Sequence, residues 1–190
     1  MNPALFLDRD GVVNHEVGYL SHSRDLTFVD GIFPLCRTAQ SLGYRLVIVT
    51  NQAGIARGLY TTEDFENLMD YVRDEFEKEN VLLDAVYHCP YHPDHGEGEF
   101  RREHPDRKPS PGMLLRAAGD LSLDLSHSIL IGDRCSDIAA ANAAGLRHAF
   151  LMAGTEPAPC PGAHTLIQTL AEAEAWLTSN PFSDVPPAGG

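Results

Sequence analysis

Two aspartates separated by one residue, Asp8 and Asp10, follow the apolar run Ala4 to Leu7 and precede Gly11. Carboxylates so placed can hold a divalent cation, attack an electrophile and move a proton. An isolated Asp-x-Asp beside a glycine would read as a polar strand end and a turn. Three other segments change that reading. Val49-Thr50-Asn51-Gln52 closes a second apolar run, and Arg107-Lys108-Pro109 lies in a later loop. Ile131-Gly132-Asp133-Arg134 closes a further run, with Asp137 four residues beyond Asp133. Carboxylate, hydroxyl, ammonium and carboxylate thus recur at strand and loop ends, and Lys108 is one of only two lysines, the other being Lys78. Phosphoryl transfer from an inert monoester needs this set: a nucleophile, an acid for the leaving oxygen, and cations for the phosphoryl oxygens.

The elements that must bring these groups together alternate short apolar runs with longer amphipathic stretches, the pattern of a parallel sheet with helices on both faces. Strands are expected at 4–7, 45–50, 83–88, 128–132 and 148–152. Helices are expected at 32–42, 62–79, 111–119, 137–144 and 166–178, with Gly43 and Gly145 as stops, Thr61 or Thr62 as one cap, and Ser110 capping a helix that opens on Pro111. Ligands of such sheets bind at the carboxyl ends of the strands, where the motif residues fall. The fold class is therefore α/β and Rossmann-like, with no internal repeat.

The 190 residues suit one domain over 1–180, with a Pro/Gly/Ala-rich flexible tail at 181–190. The segment 90–109, crowded with His, Pro, Gly and charge, is a long loop of the kind that serves a site. Composition, with 43% hydrophobic and 22% charged residues, excludes wholesale disorder, and no run is long enough to cross a bilayer. A formal charge of −13 repels nucleic acid, so an anionic substrate would need the few cations gathered around it. The expectation is a cytoplasmic monomer acting on a small molecule, with neither nucleic acid nor membrane as partner. Cys36, Cys89, Cys135 and Cys160 form no close pair and read as buried or free thiols, Cys36 as core.

The four motifs, in this order over residues 4 to 137, resemble those of the haloacid dehalogenase superfamily. Leu7-Asp8-Arg9-Asp10-Gly11, the run from Thr50 to Gly58, His88-Cys89-Pro90 and the run from Arg107 to Met113 are similar to its D-glycero-D-manno-heptose 1,7-bisphosphate 7-phosphatases and their histidinol-phosphatase relatives. The resemblance implies a domain without a large cap, Asp8 as nucleophile, Asp10 as general acid and base, and Thr50 and Lys108 as phosphoryl-binding catalytic groups. It implies Mg²⁺ held by Asp8, Asp133 and the Asp10 carbonyl, with Asp137 behind them. Substrate contacts carried over are Glu16, Val17, Gly18, Tyr19, Thr50, Asn51, Gln52, Ala53, Arg107, Lys108 and Arg134, with Arg107 and Arg134 suited to a second phosphate or sugar hydroxyls and Arg57 a weaker candidate. The implied reaction removes the 7-phosphate on the route to nucleotide-activated heptose for surface polysaccharide.

Family members commonly hold zinc in the loop before the lysine through a CxH and a CxC pair. Here the matching positions read Cys89-Pro90-Tyr91 and His104-Pro105-Asp106, which argues against a standard structural zinc. Cys89, His92, His95, His104 and Asp106 leave an altered set open, and without metal the loop is expected to be ordered by hydrogen bonds and packing of Tyr91 and Phe100. Two other functions compete. Histidinol phosphate, with one phosphate and a cationic amine, sits badly beside Arg107 and Arg134. A phosphoacceptor receiver domain also joins acids, Thr and Lys at a sheet edge, but places its phosphorylated Asp after a central strand rather than opening the chain.

Overall fold

The computed structural model describes residues 1–96, 98–156 and 160–182. Six parallel strands form one sheet in the order β3-β2-β1-β4-β5-β6: β1 Ala4–Leu7, β2 Arg45–Asn51, β3 Ala85–Cys89, β4 Ile129–Gly132, β5 His148–Met152 and β6 Thr165–Ile167. Along β1, Leu5 and Leu7 face one core and Ala4 and Phe6 the other, so both sheet faces are buried, as parallel sheets require. On the first face pack α1 (Ile32–Ser41), α3 (Thr62–Lys78) and α6 (Leu170–Ser179); on the second, α4 (Gly112–Leu121) and α5 (Cys135–Ala143). A short α2 (Ala53–Ala56) follows β2 directly. After β3 the chain crosses to β4 on the other side of β1, and the strand order reverses there. That switch point opens a crevice at the carboxyl ends of β1 and β4, where Asp8 and Asp133 lie.

The five expected strands and helices are present with small shifts of their ends, and three expectations need correction. Residues 165–167 are not helical: they pair with β5, and the helix starts afterwards, where the Glu172 carboxylate accepts the N–H groups of Gln168 and Thr169. Thr61 does cap α3, reciprocally with Asp64, but Ser110 does not cap α4, which starts one residue after Pro111. Cys135 and Cys160 are not free thiols. They form a disulfide across 25 residues, because the chain after β5 returns over the start of α5. Cys36 is core, and burial pushes its thiol up to about 12. Of the tail, residues 183–190 lie outside the described residues, whereas Phe182 packs edge-on against Tyr44 with centroids 5.5 Å apart. No helix among the described residues is long and apolar enough to cross a membrane.

Candidate active site

β1 delivers Asp8 to the crevice and ties it to the neighbouring strand, its N–H donating to the Ile131 carbonyl. The chain then curls back, with the N–H groups of Val13 and Asn14 donating to the Arg9 carbonyl. Gly11 makes the curl possible twice over: its φ is +85°, and a Cβ there would lie 2.4 Å from an Asp133 carboxylate oxygen. Thr50, at the end of β2, is buried, and Lys108 arrives from the 90–109 loop. Asn51 fixes that arrival, because its side chain accepts the Lys108 N–H at 3.0 Å and donates to the Lys108 carbonyl at 2.9 Å.

The Lys108 ammonium donates to Asp8 Oδ1 at 2.9 Å and the Val49 carbonyl at 2.9 Å, and it meets Asp137 Oδ1 at 2.5 Å. Asp137, in the first turn of α5, also accepts the Arg134 N–H. Asp133 is 1% exposed, and by hydrogen-bond geometry neither of its carboxylate oxygens has a partner among the described residues. Ligand atoms of Asp8, Asp133 and Asp137 lie within 4.8 Å of one another. Burial drives the Asp8 carboxyl well above its usual range against the pull of Lys108, and burial followed by Asp137 pushes Asp133 up to about 6. Burial also opposes the charge on Lys108, but Asp137 and Asp8 outweigh it and hold the ammonium above its ordinary value. Three buried carboxylates against one ammonium leave a formal −2 when all are ionised. An all-oxygen donor set with that deficit and two unpartnered buried oxygens fits magnesium.

A cleft of about 640 Å³ opens above this floor. Asp8, Asp10, Thr50 and Lys108 face it, as do Glu16, Gly18, Tyr19, Asn51, Gln52, Ala53, Arg107 and Arg134 from the expected substrate contacts. Val17 is the exception: it is 54% exposed and does not line the cleft, whereas Glu16, Gly18 and Tyr19 around it do, the backbone turning through positive φ at Gly18 and Tyr19. Gln52 is only 1% exposed, and both ends of its amide are engaged within the protein, to Tyr60, Thr50 and Asp10. Asp10 is held by Arg9, whose Nη2 lies 2.6 Å and 2.7 Å from the two carboxylate oxygens, and by Asn14 at 3.1 Å. Its carboxylate is therefore engaged outside the acidic cluster. Arg9, itself 1% exposed, and Asn14 and Tyr60 were not singled out in the sequence; an arginine between two aspartates gave the one available signal. Arg57 and His92 also line the cleft, as do Ser136 and Glu156, and burial, then Arg107, lowers the His92 pKa.

Known proteins place this geometry. A HAD-hydrolase-like family model matches residues 106–173. The D-glycero-alpha-D-manno-heptose-1,7-bisphosphate 7-phosphatase of Burkholderia mallei is 48% identical over 151 residues, 80% of each chain. The D-glycero-beta-D-manno-heptose-1,7-bisphosphate 7-phosphatase of Vibrio cholerae is 39% identical over 97% of this chain and 94% of its own. The chain belongs to the heptose-bisphosphate phosphatase family of HAD-like hydrolases. Among solved structures of HAD-like proteins, one from Mesorhizobium loti superposes with a TM-score of 0.85 at 34% identity, covering 97% of this chain and 90% of its own. The D,D-heptose 1.7-bisphosphate phosphatase of B. bronchiseptica, complexed with magnesium and phosphate, gives 0.80 at 27% identity over 93% and 98%. As a HAD-like phosphatase, this protein is a phosphoric monoester hydrolase.

In this phosphatase the five residues of the altered zinc set do not converge: among the described residues only Asp8, Asp133 and Asp137 bring three such ligands together. Cys89 is buried and burial raises its thiol; His104 Nδ1 accepts the Asp106 N–H; Asp106 pairs with Arg116 at 2.7 Å; His92 Nδ1 accepts the N–H groups of Asp94 and His95. Within the loop Tyr91 stacks on His104 at 4.3 Å and lies 6.0 Å from the Phe100 ring, and Arg107 donates to the Tyr91 carbonyl at 3.1 Å.

Proposed function

We propose that this phosphatase removes the 7-phosphate of D-glycero-D-manno-heptose 1,7-bisphosphate through an aspartyl-phosphate on Asp8. The observation that carries the reading is the buried floor of Asp8, Lys108 and Asp133 lying under a cleft walled by Arg57, Arg107 and Arg134. Asp8 Oδ attacks phosphorus while the P–O bond to the sugar breaks, and the Asp10 carboxyl gives its proton to the leaving oxygen. Asp10, now a carboxylate, takes a proton from the water that attacks the phospho-aspartate, releasing inorganic phosphate and restoring Asp8. Thr50 and the Asn51 N–H hold phosphoryl oxygens, and Lys108 balances charge on both nucleophile and phosphate. Asp8, Asp133 and the Asp10 carbonyl would hold Mg²⁺, which supplies the positive charge that lets a dianion approach this floor.

The arginines answer the substrate's second phosphate, since a guanidinium can meet an oxyanion with two hydrogen bonds. Histidinol phosphate would instead bring its amine against those cations. The same reading makes residues 1–180 one phosphatase domain, working as a cytoplasmic monomer on a soluble ester, and the charge of −13 argues against nucleic acid as a partner. Phosphate release from the heptose bisphosphate, sugar monophosphates and histidinol phosphate, with and without Mg²⁺, tests it. The bisphosphate is expected to be turned over fastest and only with the metal; a preference for histidinol phosphate would overturn the substrate.

A further inference from the structure

Tyr60 sits between α2 and α3, away from every motif of the family, yet it is buried against the reacting groups. Its hydroxyl lies 2.5 Å from Gln52 Oε1, and because that oxygen carries no hydrogen, Tyr60 is the donor. The amide is thereby turned so that its Nε2 faces the other way, donating to Thr50 Oγ1 at 2.8 Å and Asp10 Oδ2 at 3.3 Å. The opposite orientation would put the amide oxygen against the Asp10 carboxylate and leave buried lone pairs facing each other. A threonine hydroxyl has one proton and two lone pairs. Since Thr50 Oγ1 accepts from Gln52, its proton is free for a phosphoryl oxygen in the cleft.

Two features keep the tyrosine in this role. Burial, against the pull of Arg9, pushes its phenol up to about 12, so it remains a donor at neutral pH. Gly54 leaves room for the ring: a Cβ there would stand 2.2 Å from it. Resting on the roles of Thr50 and Asp10 given above, we infer that Tyr60 is a positioning residue that, through the Gln52 amide, points the Thr50 hydroxyl at the phosphoryl group and holds Asp10 for the leaving oxygen.

The test is Tyr60→Phe, which removes only the hydroxyl, read as kcat/KM on two esters. One is the best alkyl phosphate from the release screen, so that the comparison survives a wrong choice of sugar. The other is p-nitrophenyl phosphate, whose leaving phenolate needs no proton. Loss of a buried hydrogen bond predicts a fall of about tenfold on the alkyl ester, and a fall of about threefold or less on the aryl ester, where only the Thr50 contribution is felt. Gln52→Glu, which keeps the acceptor for Tyr60 but sets a carboxylate against Asp10, is expected to show the same ordering more strongly. Equal losses on the two esters in both variants, or no loss in Tyr60→Phe, would overturn the assignment.

Discussion

At the floor of the cleft, Lys108 and the carboxylates of Asp8, Asp133 and Asp137 are buried and lie within hydrogen-bond or metal-ligand reach of one another. At the rim, Arg134 reaches Glu16 at 3.4 Å with half of its side chain exposed, and Arg57 lies over the half-exposed ring of Tyr19 at 5.9 Å. The floor places like charges where water cannot screen them, which leaves it short of a cation and ready for a dianion. The rim's charges are screened, and each contributes little until a phosphate takes water's place. Under the proposed function, the bond-making chemistry falls to the floor and the choice of ester to the rim.

Replacing Lys108 by Met tests the floor most severely. It strips the one ammonium from three buried carboxylates, and unfolding of the metal-free protein should show a loss of roughly 3–5 kcal/mol, with turnover falling by about 10³-fold or more. A loss of stability under about 1 kcal/mol would mean that the floor is better hydrated than its burial indicates.

The next effect is a dependence on pH. Asp133 is raised to about 6 in the fold, so protonation is easier folded than unfolded. The stability this gives is present in full below the unfolded value near 3.8 and is lost as pH rises through about 6. Denaturant unfolding with a chelator should therefore show the metal-free protein weaker at pH 7.5 than at pH 4 by on the order of 2–3 kcal/mol from this group. Added Mg²⁺ should reverse the slope, since it binds the ionised carboxylates. A metal-free stability that climbs with pH across this window would break the picture of an undercompensated floor.

The rim gives the smallest change and the most specific. Arg134→Ala and Arg107→Ala are each expected to raise KM for a sugar bisphosphate by about 10-fold while leaving kcat within about threefold, with less effect on a monophosphate. Equal effects on both esters would remove the second phosphate as the partner of these arginines.

The floor was legible in the sequence because its groups sit at the ends of strands, and strand ends are fixed by short apolar runs that cannot be mistaken for much else: Ala4 to Leu7 places Asp8, and Arg45 to Asn51 places Thr50. Lys108 was legible because it is one of two lysines and precedes a proline that fixes the local backbone. What escaped depends on contacts between segments distant along the chain or on bonds without a periodic signature. β6 has three residues and is defined by pairing with β5; the Cys135–Cys160 disulfide depends on where the chain returns after that strand. Arg9 and Tyr60 were not singled out, and only packing shows one clamping Asp10 and the other turning Gln52. Val17 was carried over with its neighbours, and it lies outside the cleft lining beside the positive-φ pair Gly18 and Tyr19.

The proposed function requires that Asp8 form a bond to phosphorus and that Asp10 then activate the water that breaks it. Asp10→Asn should slow the second step enough for the first to be caught when the leaving group needs no proton: mixing this variant with p-nitrophenyl phosphate and Mg²⁺, quenching in acid and mapping peptides should find the phosphoryl group on Asp8, and none in Asp8→Asn. Phosphate on any other residue, or turnover by a folded Asp8→Asn variant near the level of the unaltered protein, would contradict the account.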